Sequence, residues 1–346
     1  MLRMFPSCTA IMTFMGCLCP IYGQTNSLSV DKEHVSSVAE AHLASLEGWR
    51  TGDALIRYSR SGDGKLTARG VGEVVGPEAM SIVDQEDYLA RFIFDFDSER
   101  VLVINRVERE ERMFNSLDEE VQRPVKRVDN RVLLYDKSRN HELHRLDAGV
   151  VQRVKKMAPM VQAIRSFGVP DMRHFGCSAL GNWVLDDLRE PVKFANTVEN
   201  IEQLTHVGKN VYRIVAKDLE LKRRSGQYST DWDLQRNVPV RYESYDVYKV
   251  PNKHGPTHTA TVDWISIDGH LVPMEAHISQ RFVRARMDLD FHIREETVFE
   301  IHWFSFNQEL SAEFFDEKLI HDRKKLDELL NTDVFEEKPK QETQGK

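Results

Sequence analysis

The sequence predicts an α+β fold built around an antiparallel β-sheet. Three observations carry this. Apolar residues recur at every second position in run after run. Successive runs are joined by two- to four-residue turns. Two stretches, 31–48 and 147–190, switch instead to the three- and four-residue spacing of a helix.

The bulk numbers suit such a fold. Of 346 residues, 41% are hydrophobic and 29% charged, the profile of a globular chain. The net charge of −8 excludes a general nucleic-acid binder, which needs a basic footprint. The first 24 residues, "MLRMFPSCTAIMTFMGCLCPIYGQ", carry one charge, Arg3, ahead of a short apolar core broken by Pro6 and Pro20. They read as a signal peptide, too short for a membrane span. A second reading remains open: "FMGC", Phe14 to Cys17, resembles a lipobox, with Cys17 as the lipid anchor. Either way the mature chain is expected in the periplasm or cell envelope, secreted and without a transmembrane span. Cys8, Cys17 and Cys19 fall in this segment, so cleavage near residue 24 leaves only Cys177 and no internal disulfide.

The elements follow in order. Val35, Val38, His42, Leu46 and Trp49 form the stripe of a helix over 31–48, capped by Asp31 and ended by Gly48. "ALIRYSRSGDGKLTARGVGEVV" (54–75) predicts a hairpin turning at Asp63-Gly64. "ARFIFDFDSERVLVINRVER" (90–109) predicts a second, turning near Asp97–Arg100, with Phe92, Phe94 and Phe96 on one face and Leu102 and Ile104 returning. "NRVLLYDKSRNHELHRLD" (130–147) predicts a third, turning at Lys137–Asn140. Val150, Val154, Met157, Val161 and Ile164 then mark a helix face, with Arg153, Lys155 and Lys156 on its solvated side. Pro159 splits that helix, and Leu180, Trp183, Val184 and Leu188 suggest another.

Strands resume near 196. Turns fall at Gly208-Lys209, at Gln235–Asn237 and at Asp268-Gly269. A long strand follows over 285–306, then an amphipathic helical piece, "FFDEKLIHDRKKLDELL" (314–330). In "TDWDLQRNVPVRYESYDVY" (230–248), Asp233 opens the turn, Pro239 suits a strand start or edge, and Arg241 pairs with Glu243 or Asp231. The expected organisation is a signal peptide (1–24), one domain (25–334) with a helical insertion at about 147–195, and a disordered Glu/Lys/Gln/Pro tail (335–346).

Four short motifs carry a family resemblance. Asp129-Asn130 leads into Leu134-Tyr135-Asp136; "VPDMRHFG" spans 169–176; "WDLQRNVPVRYE" spans 232–243; "WISIDGHLVPMEAHIS" spans 264–279. With the order helix, meander, insertion, meander, these resemble the LolA/LolB-like periplasmic lipoprotein carriers over roughly residues 31–320. The chain departs from that pattern at Asn130, where Gly is usual, and at Asp136-Lys137, where Asp-Pro is usual. It is also longer, through 147–195. The resemblance implies an open half-barrel, a curved antiparallel sheet covered by helices on its concave side. It also implies a space there for a lipid, a lipoprotein acyl chain or another hydrophobic ligand.

The pocket candidates are the apolar residues of the predicted strands: Phe92, Phe94, Phe96, Leu102, Ile104, Leu133, Tyr135, Trp264, Phe291 and Trp303, with Ile278, Phe282, Leu289 and Phe306 beside them. Full packing of the helices would make them ordinary core; loose packing would leave an acyl-sized pocket. The partners expected are therefore a hydrophobic ligand and an envelope lipoprotein, with no cofactor.

Catalytic readings are weaker. Cys177 beside His174 could be a thiol and its base; a small buried residue at a helix start explains it as well. The 13 histidines show no structural zinc spacing, and Gly255-Pro256 separates His254 from His258. Asp95, Asp97 and Glu99 alternate at a hairpin tip, where acids are usually solvated. "KRRSG" (222–226) reads as a charged hairpin tip. There is no EF-hand, GxSxG or P-loop. The sequence thus points to a non-enzymatic binding protein. An envelope interaction module with a filled core and a secreted hydrolase are the alternatives.

Overall fold

The computed structural model describes residues 31–68, 80–114, 120–146, 149–170, 172–175, 201–217, 227–245, 256–286 and 289–336. Helix α1 (Lys32–Glu47) opens the described chain. Strands β1 (Thr51–Ala68), β2 (Met80–Asp95), β3 (Arg100–Phe114), β4 (Glu120–Asp136), β5 (His141–Arg145) and β6 (Val151–Arg153) follow. Helix α2 (Met160–Arg165) comes next. Then come β7 (Ile201–His206), β8 (Val211–Lys217), β9 (Gln227–Asp233), β10 (Val238–Tyr245), β11 (His258–Ile267), β12 (His270–Arg286) and β13 (Leu289–Phe306). Short helices α3 (Glu317–His321) and α4 (Arg323–Leu329) close the described part.

All 13 strands form one antiparallel sheet in the order β6-β5-β4-β3-β2-β1-β13-β12-β11-β10-β9-β8-β7. Every neighbour is joined to the next by sequence except β1 and β13, which zip the two meanders together from Gly52↔Phe306 to Ala68↔Leu289. Among the described residues the sheet is not closed, and its edges are β6 and β7.

Helix α1 forms where the stripe places it. Asp31 accepts the His34 amide at 2.8 Å, and at the other end the Gly48 amide donates to Ser45 and the Trp49 amide to Leu46. Val35, Val38, Leu46 and Trp49 are buried in one cluster with one face of the sheet. At its start the Lys32 ammonium donates to the Ile201 carbonyl of edge strand β7 at 2.5 Å, while Trp49 beyond its end stacks on Phe94 of β2. Strand β2 lies eight strand spacings from β7, about 38 Å along the sheet against about 24 Å of helix. That mismatch is consistent with a curved sheet.

The sheet has two covered faces, and strand parity assigns each side chain. Phe92 pairs with Val103 and Phe94 with Val101; together with Leu133, Tyr135, Ile301 and Trp303 they share the face that meets α1. Residues 157–170 and 172–175 lie on the same face. Asn105 and Tyr88 both donate to the Phe167 carbonyl, at 2.7 and 3.3 Å, and the Phe175 ring meets Phe299 at 5.1 Å. Ile93, Leu102, Ile104, Val132 and Leu134 point the other way, against Phe315, Ile320 and Leu326 of the C-terminal segment. Burying each such side chain stabilises the fold by about 1.5–3 kcal/mol.

Three sequence expectations change here. First, β1 runs straight through Asp63-Gly64, pairing Asp63 with Arg294 and Gly64 with Ile293. A continuous ladder to β13 overrides local turn propensity. Second, Leu102 and Ile104 do not share the face of Phe92 and Phe94. "VLVI" is buried on both faces, so no apolar–polar alternation marks its parity. Third, 151–153 form an edge strand and α2 begins only after Pro159. A proline's missing amide and fixed φ suit the entry of a helix rather than its interior. The remainder of the expected insertion, including the predicted helix at 180–188, lies outside the described residues, as do the first 30 residues and "KRRSG". The turns at 137–140, 208–210, 234–237 and 268–269 form as read. Asp233 accepts the amides of Gln235 and Arg236, and Arg241 pairs with Glu243 at 2.5 Å. Pro239 sits at the start of β10, where the register with β9 shifts.

Candidate functional site

Four chain segments converge where α1 ends. After Gly48 the chain turns Trp49 inward, edge-on to Trp303 at 5.6 Å and to Phe306 at 5.2 Å. The Arg50 carbonyl accepts the Phe96 amide at 2.8 Å, which fixes the β2–β3 turn beside it. Asp95 caps that turn, accepting the Ser98 amide at 3.0 Å and pairing with Arg100 at 2.5 Å. Burial opposes the Asp95 charge, but these partners outweigh it and hold its carboxyl below the usual carboxylate range. The β4–β5 turn supplies Lys137, and residues 157–161 form the facing lip.

The lip is anchored to the sheet. Buried Glu142 accepts the Ala158 amide at 2.8 Å through its side chain, and the Val154 amide at 2.9 Å through its carbonyl. Tyr135 donates to the Ala158 carbonyl at 3.3 Å. Burial, with Glu99 and Glu142 nearby, pushes the Tyr135 hydroxyl pKa up.

Between the lip and these turns lies a cleft of about 630 Å³. Trp49, Phe96, Tyr135, Met157 and Met160 give it apolar walls; Arg50, Asp97, Glu99 and Lys137 give it a polar rim. Arg50 pairs with Asp97 at 2.9 Å and Lys137 pairs with Glu99. Behind Phe96 the ring of Phe94 stacks at 4.3 Å, so this wall of the cleft is backed by the buried aromatic cluster. Its volume falls in the range of small-ligand sites, with about half of its lining polar.

The structure sorts the predicted pocket residues. Phe96 and Tyr135 line the cleft. Phe92, Phe94, Leu133, Trp264 and Trp303 stand behind it as packed core, as do Ile278 and Phe306. Leu102 and Ile104 belong to the opposite face. Phe291 pairs with Leu66 and Arg284 in the sheet, but its side chain lies outside the described residues, as do those of Phe282 and Leu289. Trp49, Met157 and Met160 escaped the sequence reading as site residues. The step from Gly48 to an aromatic, and two methionines flanking Ala158-Pro159, were the available signals.

A second groove, about 510 Å³, lies on the opposite face over Leu89 and Val298. Its charges are matched: Arg57 with Glu300 at 2.6 Å, Arg106 with Glu108 at 2.6 Å, and Asp87 with the Ser59 hydroxyl at 2.7 Å. Phe335 lies against the Arg57 guanidinium at 4.4 Å beside it.

Of the catalytic candidates, the described residues include only the three hairpin-tip acids. Asp95, Asp97 and Glu99 are each taken by a cation, Arg100, Arg50 and Lys137. Cys177 and the His174 side chain lie outside the described residues. Among the described residues no three His, Cys, Asp or Glu side chains gather to hold a metal, and no helix is long and apolar enough to cross a membrane.

Fold and site together define an open antiparallel-sheet protein with a cleft of mixed apolar and charged lining at one end of its core. No family model and no curated protein matches the chain. Among solved structures, it is similar to a DUF1329 family protein from Desulfovibrio piger at 10% identity. That match covers 83% of this chain and 98% of the other, with a TM-score of 0.33. It is also similar to a domain ascribed to outer membrane lipoprotein sorting from Vibrio parahaemolyticus, at 12% identity. That match covers 84% and 100%, also with a TM-score of 0.33.

Proposed function

We propose that this chain is an exported, non-enzymatic binding protein of the LolA/LolB-like kind. It holds a lipid, an acyl chain or another hydrophobic ligand in the cleft between the lip at 157–161 and the β2–β3 and β4–β5 turns. The observation that carries this reading is the 630 Å³ cleft walled by Trp49, Phe96, Tyr135, Met157 and Met160. Desolvating an acyl chain yields about 0.8 kcal/mol per buried CH₂, so a modest cleft suffices and no covalent step is needed. Methionines re-pack readily around variable apolar shapes. On this reading segment 157–175 and α1 cover the concave side, and the N-terminal 24 residues direct export to the envelope.

One observation favours a second reading, an envelope interaction module with a filled core. Phe92, Phe94, Leu133, Trp264 and Trp303 pack without reserve for a ligand. The two readings separate experimentally. Lipid mass spectrometry on the purified chain, with titration of the neutral fluorophore N-phenyl-1-naphthylamine, should show one bound apolar molecule per chain. Met157→Asp should weaken that binding at least about tenfold, because a charge buried against an apolar ligand is left unpaired. A wild-type chain that carries no lipid and binds no fluorophore establishes the filled-core reading instead.

A further inference from the structure

We propose that the cleft takes an amphiphile with an apolar chain and an anionic head group, the head being held by the cations that lead into the lip. This rests on the reading of the cleft as an apolar-ligand site and adds the ligand's charge. Arg153, Lys155 and Lys156 directly precede Met157, and all three are exposed. None of them makes an ion pair among the described residues. The rim beside them behaves differently, since Arg50, Lys137 and Arg139 are each matched by an acid: Asp97, Glu99 and Asp136. Among the described residues, three such cations against the one acid at the arch, Glu142, leave the mouth a local positive excess on a chain whose net charge is −8.

Geometry holds the backbone that carries two of these cations. The Val154 and Ala158 amides both bond to Glu142, so residues 154–158 form a short arch pinned at each end. Lys155 and Lys156 ride on that arch, one and two residues from the apolar wall at Met157. A head group cannot follow its chain into the apolar part of the cleft without losing its hydration. It must stay at the mouth, where a cationic head meets positive charge and an anionic one comes within reach of two exposed lysines carried on the pinned arch. Carboxylate and phosphate share the required chemistry.

Displacement of N-phenyl-1-naphthylamine from the full chain tests this. The competitors are dodecanoate, dodecyl phosphate and neutral dodecyl maltoside, each below its micelle concentration. The two anionic amphiphiles should displace the probe about tenfold better than the neutral one, with the preference shrinking in high salt. Dodecyl phosphate against dodecanoate then tells which head fits better. The exposed double variant Lys155→Ser/Lys156→Ser should keep the neutral competitor's affinity and lose the anionic preference. Equal displacement by all three overturns the head-group assignment and leaves the apolar site standing. Displacement by none overturns both, and a double variant that keeps the preference overturns the role of the lysines. If that variant loses only its binding to phosphatidylglycerol vesicles, the lysines dock on membranes and the proposal fails.

Discussion

The Phe94 ring lies directly on the backbone of Gly52. A Cβ at Gly52 would fall 2.5 Å from the ring's Cζ, closer than carbon atoms approach. The ring has little freedom to retreat, because Phe96 stacks on it at 4.3 Å and Phe92 meets it at 4.9 Å. Gly52→Ala should therefore destabilise the fold by about 1–3 kcal/mol through overpacking. A lower urea midpoint with an unchanged slope is the expected result; an unchanged midpoint would mean the aromatic cluster re-packs freely.

Asp53, the next residue, faces the other way and meets Arg91 as a buried fork. Its oxygens lie 2.6 Å from Nε and 2.8 Å from Nη2, and Phe304 covers the guanidinium at 3.3 Å. Burial already pushes the Asp53 carboxyl up, against the pull of Arg91. Arg91→Leu should cost about 3–5 kcal/mol near pH 7 by stranding that carboxylate. The deficit should shrink toward pH 4, where the stranded Asp53 takes up a proton. Denaturation of wild type and variant at both pH values checks the sign.

His42 sits among Trp232 and Trp264, with ring centroids at 5.6 and 5.3 Å. Burial lowers its pKa from 6.5 to about 4, although a bond to the Asn237 backbone opposes this. Because the folded value lies below the unfolded one, the unfolded chain binds the extra proton between those limits. Stability from neutral His42 is full above about pH 6.5 and is lost as pH falls toward 4, by up to about 3 kcal/mol. His42→Gln should flatten that part of the stability–pH curve relative to wild type. Parallel curves would exclude His42 as the titrating group.

Turn chemistry made much of the fold legible. Asp268 and Gly269 both adopt positive φ, as does Asn237, and each stands where its residue type signals a reversal. The α1 stripe was equally plain, since only one face of that helix is buried. Legibility failed where burial is two-sided: Leu102 and Val103 are both fully buried, on opposite faces, and no pattern within β3 could say so. It failed again at the cleft. Arg50, Asp97, Lys137 and Met157 come from four separate segments, and their meeting depends on a register that one chain does not print locally. Of the residues picked out along the predicted strands, Phe96 and Tyr135 are the two that line this cleft, and both stand at strand ends beside turns.

Glu142 links the sheet to the lip, so its loss should act on binding more than on folding. Its carboxylate accepts the Ala158 amide at 2.8 Å and lies 3.0 Å from His144 Nε2. Glu142→Ala removes the side-chain half of the arch's anchorage and leaves the backbone bond from Val154. The Met157–Val161 wall then loses its fixed distance from Trp49 and Phe96, and an apolar ligand must order it on arrival. Binding of N-phenyl-1-naphthylamine should weaken about fivefold to thirtyfold, since one buried charge-assisted hydrogen bond contributes about 1–2 kcal/mol. The Ala158 amide should exchange with solvent faster, while the amides of β3 keep wild-type protection. Glu142→Gln retains an oxygen acceptor for Ala158 and should restore most of the affinity. Were Glu142→Ala to lower the global midpoint as much as it lowers affinity, Glu142 would be a core residue rather than the anchor of the lip.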